Sequence, residues 1–403
     1  MLSVSDARDR VLEKTSALEP LEMSVTDAHG CVLAETVTAP EDLPPHPTAA
    51  IDGFAIKSED TTTAETSPVS LTIIGETAAT RPFAGRVSHG EAVRIAAGAS
   101  LPEGTDAVVH KNDVAVVGSS MAVGHAIPAG RDVRPAGEDI ARGDPVMQEG
   151  QRIRGMDVGV LAAIGRSRVN VRPRARVICF SLGDDAKAPA ETGLARDSSS
   201  YALAGMTREA GAEPTRPGIV SNVPDVLREK FQSYLPQADV FITSGSLEDS
   251  AQSALRSALE AIGEIDFWTI SSRPELTIGF GSVQGRPLFA LPENPVTVLI
   301  AFELFVRPAL LKMSGRRTLL RPEVDAGLED GYEQQPGKES YLRVRAWRDE
   351  TGGWRARLSG RQGPGVVSSL AGANALAVLP VDAGVIAPGG HVRLVLLEPL
   401  EGW

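Results

Sequence analysis

Cysteine, histidine and aromatic side chains are all scarce in this chain of 403 residues, with two cysteines, six histidines and 4% Phe, Trp and Tyr. Cys31 and Cys179 each sit in an apolar run, so both are expected as buried thiols in a reducing compartment, not as a disulfide. The histidines lie far apart and show no metal-ligand spacing. No apolar run approaches the roughly 20 residues that span a bilayer. The opening Met1-Leu2-Ser3-Val4-Ser5-Asp6 lacks the basic and apolar regions of a signal peptide. Basic excess is missing too: the net charge of −12 argues against nucleic acid and against direct insertion into an anionic membrane. What is present is a hydrophobic fraction of 42%, ample for cores, and a length that calls for more than one domain. A cytoplasmic protein is expected.

Periodicity divides the chain. Residues 4–19 read as an amphipathic helix with Val4, Ala7, Val11 and Leu18 near one face, capped by Ser3 or Ser5. The stiff stretch Pro40 to Pro47 follows. Residues 50–138 show short apolar runs broken by Gly and Pro, which predicts strands. A short helix is predicted over Met156 to Ile164. From about 173, buried-strand runs alternate with helices: Ala175–Phe180, helix Tyr201–Ala210, helix Pro224–Leu235, strand Asp239–Thr243, helix 250–262, strand Arg286–Leu291 and a long helix from Val296. Such alternation implies a mostly parallel sheet with its ligand crevice at the strand C-terminal ends. After Pro322 the chain is β-like again.

Leu291-Pro292-Glu293-Asn294-Pro295 joins the last of those strands to the long helix. Asn294 is a good N-cap, and Pro295 suits the first helical position. A helix start at a buried strand end is where an α/β protein holds phosphate, yet Glu293 brings a negative charge there. An acid near a helix N-terminus is also simply what the helix dipole favours.

This stretch, with Ala50-Ile51-Asp52-Gly53-Phe54-Ala55, Gly98 through Val109, Arg134 through Ile140, and Ser368-Ser369 through Asn374, resembles the MoeA molybdopterin molybdenumtransferases and the homologous E domain of gephyrin. The resemblance runs over essentially the whole chain. It implies an α/β plus β fold in an elongated homodimer of four-domain subunits. Residues 1–47 and 139–172 would form a discontinuous N-terminal dimerisation domain, and 48–138 an inserted β-rich domain. Residues 173–317 would form a MogA-like α/β domain, and 318–403 a small C-terminal β domain. It also implies a reaction in which adenylylated molybdopterin and molybdate yield the molybdenum-loaded pterin and AMP, with magnesium. The matching positions give Asp52, Asp139, Asp184, Asp185 and Arg273 as the catalytic set, Gly183, Gly245 and Asn294 as cofactor contacts, and Asp184 and Asp185 as metal ligands.

Several positions depart from the family pattern. Thr-Gly-Asp-Glu-Leu reads Leu182-Gly183-Asp184-Asp185-Ala186, a threonine is replaced by Ala97, and two glycines of a long loop by Ser246 and Ser250. A second cation is replaced by Leu276, and Glu248, Asp249, Glu275 and Glu293 enter. A unit charge about 4 Å from a phosphate costs roughly 4 kcal/mol at an effective dielectric near 20. These departures favour a degraded site, no bound cofactor, and a remaining role as a dimeric scaffold. The resemblance extends to actinobacterial gephyrin-like paralogues, which implies binding of a short peptide, with the C-terminal tail of the tubulin-like FtsZ as the candidate. A membrane receptor would be a further partner, and the division septum the place of recruitment. Arg8 of the first helix and Pro380 would belong to the peptide site. The alternatives are an active molybdenumtransferase and a non-catalytic pterin carrier.

Overall fold

A computed structural model describes residues 1–183, 196–363 and 365–398. The first helix spans Val4–Glu13. Ser3 Oγ caps it by accepting the Asp6 N–H at 3.0 Å, and Val4, Ala7 and Val11 are buried. It ends before residue 19. Thr15 turns its hydroxyl back onto the Val11 carbonyl, and the Leu18 N–H is taken by Met313. Although it opens the chain, this helix packs on the α/β domain, whose Lys312 donates to its Leu12 carbonyl.

The N-terminal sheet has three antiparallel strands in the order Leu21–Ser24, Arg168–Arg172, Val32–Leu33, with the helix Gly155–Ala163 beside it. Between them lies a six-stranded sheet built from residues 53–123. Its core holds Phe54, Ile56, Leu71, Val109 and Met121.

The α/β domain carries a six-stranded sheet in the order Glu213–Val220, Arg176–Leu182, Val240–Ser244, Arg286–Leu291, Leu276–Val283, Gly263–Ile270. The first four strands are parallel, and the three inside the sheet are largely apolar, buried runs because helices cover both faces, whereas the edge strand Glu213–Val220 is mixed in polarity and mostly half-buried. The last two are antiparallel, a hairpin the sequence reading did not predict. Its glycines obscure the pattern: a Cβ on Gly281 would sit 1.9 Å from the Glu264 carbonyl oxygen. The predicted long helix from Val296 is interrupted. Pro295–Ala301 and Arg307–Met313 flank a wider π-type turn, Phe302–Val306, just before Pro308, which has no N–H for a regular ladder.

In the C-terminal domain the strands Glu339–Arg348, Trp354–Leu358, Glu323–Leu328, Gly390–Leu396 and Ala375–Leu379 form a closed circuit, since the last pairs with the first. Ser272–Arg273 of the α/β domain adds a short parallel strand to Glu339–Ser340.

Candidate functional site

The strand order reverses direction between Arg176–Leu182 and Val240–Ser244, and a cavity of about 350 Å³ opens at the C-terminal ends of these strands. Ser181, Leu182, Ser244 and Gly245 form its floor. Arg196 to Ser199 form one wall, and Glu293, Asn294 and Pro295 the other. Gly245 is required by close approach: a Cβ there would lie 2.7 Å from the Leu182 carbonyl oxygen. Asn294 caps the following helix as predicted, its Oδ1 accepting the Val296 N–H at 2.9 Å. Gly183 adopts a left-handed backbone (φ 131°), and its N–H bonds the Val220 carbonyl.

The centre of the crevice is a residue the sequence reading missed. Asp197 is buried. Its Oδ1 accepts from Ser181 Oγ at 2.6 Å and from the Ser200 N–H at 3.0 Å, and its Oδ2 accepts from Ser200 Oγ at 2.5 Å. Arg216 lies 3.6 Å from Oδ2, donates to Ser200 Oγ at 2.9 Å and stacks over Tyr201. Ser181 Oγ is 3.3 Å from Ser244 Oγ. Ser199 donates to the Glu293 carbonyl, tying the two walls together. The available signal was the spacing of Asp197 and Ser200 ahead of an apolar helix, an acid three residues before the N–H it caps.

The expected crowding of this site by acids is corrected by the geometry. Of Glu248, Asp249, Glu275 and Glu293, only Glu293 lines the crevice. Glu275 pairs with Lys338 of the C-terminal domain. Glu248 and Asp249 stand exposed at the start of the helix Asp249–Leu259. Leu276, in place of a cation, is a buried core residue. Arg273 does not line the crevice either, since its strand is drawn to the C-terminal domain. That domain approaches by another route: a Cβ on Gly365 would lie 3.7 Å from Asn294 Nδ2.

Asp52 occupies a different cavity, of about 320 Å³, with Thr77, Arg81, Arg94 and Lys111. Its Oδ1 accepts the Ala97 N–H at 3.0 Å, and Lys111 Nζ is 3.4 Å from Oδ2. The Ala97 N–H first, then Lys111, hold this carboxyl below the usual range. Asp139 is exposed, and its backbone N–H bonds Leu43. It lines neither of these cavities. Asp184 and Asp185 lie outside the described residues. Among the described residues no group of three or more His, Cys, Asp or Glu is placed to hold a metal. Asp197 is already filled by hydroxyl and amide donors.

Arg8 lines a third cavity, of about 470 Å³, between the first helix and the C-terminal domain. Its apolar floor includes Val4, Leu376, Val378 and Val381. Glu303 is clamped there by Arg321 at 2.9 Å, and Arg393 lies 3.5 Å from Glu323 and 3.6 Å from Glu339. Pro380 is exposed beside Val381 and does not itself line the cavity. Its carbonyl accepts from Gln334.

Comparison with known proteins gives one answer along the chain. Residues 2–165 match the MoeA N-terminal region (domains I and II), residues 177–312 a probable molybdopterin-binding domain, and residues 325–397 the MoeA C-terminal region (domain IV). Molybdopterin molybdenumtransferase 1 of Mycobacterium tuberculosis is 34% identical over 98% of this chain and 99% of its own length. The enzyme of the same name from Haemophilus influenzae is 26% identical over 100% of this chain and 99% of its own. A crystal structure of the molybdopterin biosynthesis MoeA protein of Pyrococcus horikoshii superposes with a TM-score of 0.83 at 26% identity, covering 100% of both chains. This chain belongs to the MoeA family of molybdopterin molybdenumtransferases.

Proposed function

We propose that this chain is a molybdenumtransferase, taking adenylylated molybdopterin and molybdate and releasing AMP. The observation that carries this reading is the crevice at the strand ends, which keeps a polar floor; of the four acids that depart from the family pattern, Glu293 alone lines it among the described residues. Glu248, Asp249 and Glu275, on which the degraded-site expectation partly rested, do not line it. Ser198, Ser199 and Ser244 offer hydroxyls to a phosphate or pterin, and Gly245 brings backbone close to it. Asp197 holds Ser181 and the start of the helix Ser199–Glu209 in place, so the floor is organised before ligand arrives. The relatives that span nearly the whole chain carry the transferase name. The test is AMP release from adenylylated molybdopterin with molybdate and magnesium. The proposal expects sustained turnover that Ser198→Trp, at the exposed mouth, abolishes. Absence of AMP release, with the substrate shown to be intact, would overturn it.

A second reading has its own observation. The cavity at Arg8 combines an apolar floor with charged walls, which suits a short peptide. Under that reading the chain is a homodimeric scaffold whose two copies bind FtsZ tails with avidity at the septum. Calorimetry with the tail peptide tests it: saturable heat lost in Arg8→Glu supports the scaffold, and no saturable heat removes this partner.

A further inference from the structure

At the N-terminal ends of the parallel strands, away from the crevice, another cavity opens where the N-terminal sheet meets the α/β domain. Its volume is about 470 Å³. His29, Gly30 and Arg152 line it from the N-terminal side, and Arg174, Arg208 and Glu213 from the α/β side. Three arginines thus line one space in a chain whose net charge is −12. Arg174 is partly committed: it lies 3.4 Å from the Glu213 carboxylate and donates to the His29 carbonyl. Gly30 makes that approach possible, because a Cβ there would sit 3.0 Å from Arg174 Nη2.

Arg152 and Arg208 are exposed, and among the described residues neither pairs with a carboxylate. Among the described residues Glu213 is the one acid on the cavity wall, and it lies 3.4 Å from Arg174. A further cation stands behind. Arg316 is held below the ordinary arginine range, first by burial and then by the charge of Arg152. Uncompensated like charges in one place repel, and a multivalent anion relieves that repulsion better than water does. The guanidinium fork also matches the oxygens of a tetrahedral oxyanion in a way a point charge does not.

The geometry points to a binding site for a small doubly charged oxyanion of the phosphate type, held between Arg152 of the N-terminal unit and Arg208 of the α/β domain. The space exceeds one phosphate group, so free phosphate and a phosphate monoester share the chemistry. Because the two arginines come from separately folded units, the bound anion ties those units together and stabilises their docked arrangement. This site is independent of the crevice and of the transferase reading.

The test is hydrogen exchange read by mass spectrometry on the full chain at fixed ionic strength. One arm adds inorganic phosphate, a second glycerol 3-phosphate, and a control adds chloride alone. The expected result is slowed exchange in segments 28–31, 150–154 and 207–214 with at least one phosphate compound and not with chloride. Whichever compound acts at lower concentration identifies the source. Arg152→Gln with Arg208→Gln should raise the half-saturating concentration at least tenfold without lowering the ligand-free melting temperature, since it also relieves the repulsion. Arg152→Lys, which keeps the charge and loses the fork, should raise it by less and serves if the double variant does not fold. Equal protection by chloride, no protection in these segments, or protection unchanged in the folded variants would overturn the site. Protection confined to 197–200 and 293–296 would report the crevice instead and would also overturn it.

Discussion

Two aspartates in two cavities show how differently one side chain can serve a fold. Asp197, in the α/β crevice, is buried and filled by two hydroxyls and a backbone N–H. Asp52, in the inserted domain, has a side chain 55% exposed, with one backbone donor and a more distant lysine. The first is an anchor whose lone pairs are spent on the protein. The second keeps capacity for a ligand. Sequence motifs pointed to the second and passed over the first, because a loop aspartate that matches a family pattern is visible in a string, whereas a hydroxyl network is visible only once strands and helices meet.

The comparison is broken most severely at the anchor. Asp197→Ala strips the partners from Ser181, Ser200 and Arg216 in a buried place, and should cost about 3 kcal/mol, read as a shift of the urea unfolding midpoint. Gly245→Ala forces a Cβ against the Leu182 carbonyl oxygen, and should cost about 2 kcal/mol by the same measurement, along with loss of ligand binding. Asn294→Ala removes a helix cap at the crevice wall, for about 1 kcal/mol. Glu293→Gly sharpens the electrostatic side: removing one exposed acid, worth about 1 kcal/mol at 4 Å in water, should tighten binding of an adenylylated pterin roughly fivefold, read by calorimetry.

Asp52 gives the smallest effect on stability. Its carboxyl titrates lower in the folded chain than the ordinary value of 3.8. Its contribution is therefore present above that value and lost as pH falls through the lower folded value. Asp52→Asn should lower stability slightly at neutral pH, and its difference from the parent should vanish as pH falls through that acid window, read from urea unfolding at several pH values. A neutral-pH loss as large as that of Asp197→Ala would make Asp52 an anchor like Asp197.

Much of the architecture was legible because the three inner parallel strands are buried and read as largely apolar runs, as in Val240–Ser244 and Arg286–Leu291, whereas the mixed edge strand Glu213–Val220 left no such signal. The cap at Asn294 was legible because capping is local. The hairpin over residues 263–283 was not, since glycines at 279 and 281 replace the side chains that mark a strand. The charge of the site was misjudged for a related reason. Glu275 lies one residue before buried Leu276, in the link just ahead of its strand, and is exposed where it pairs with Lys338. Sequence proximity to a phosphate loop does not fix which way a side chain points.

The most direct measurement is titration of adenylylated molybdopterin into the full chain, followed by calorimetry, with Ser198→Trp as the blocked control. Saturable binding of one ligand per chain, abolished by the tryptophan while the fold is retained, is the predicted result. Binding that is absent, or that persists with the crevice mouth filled, would contradict it.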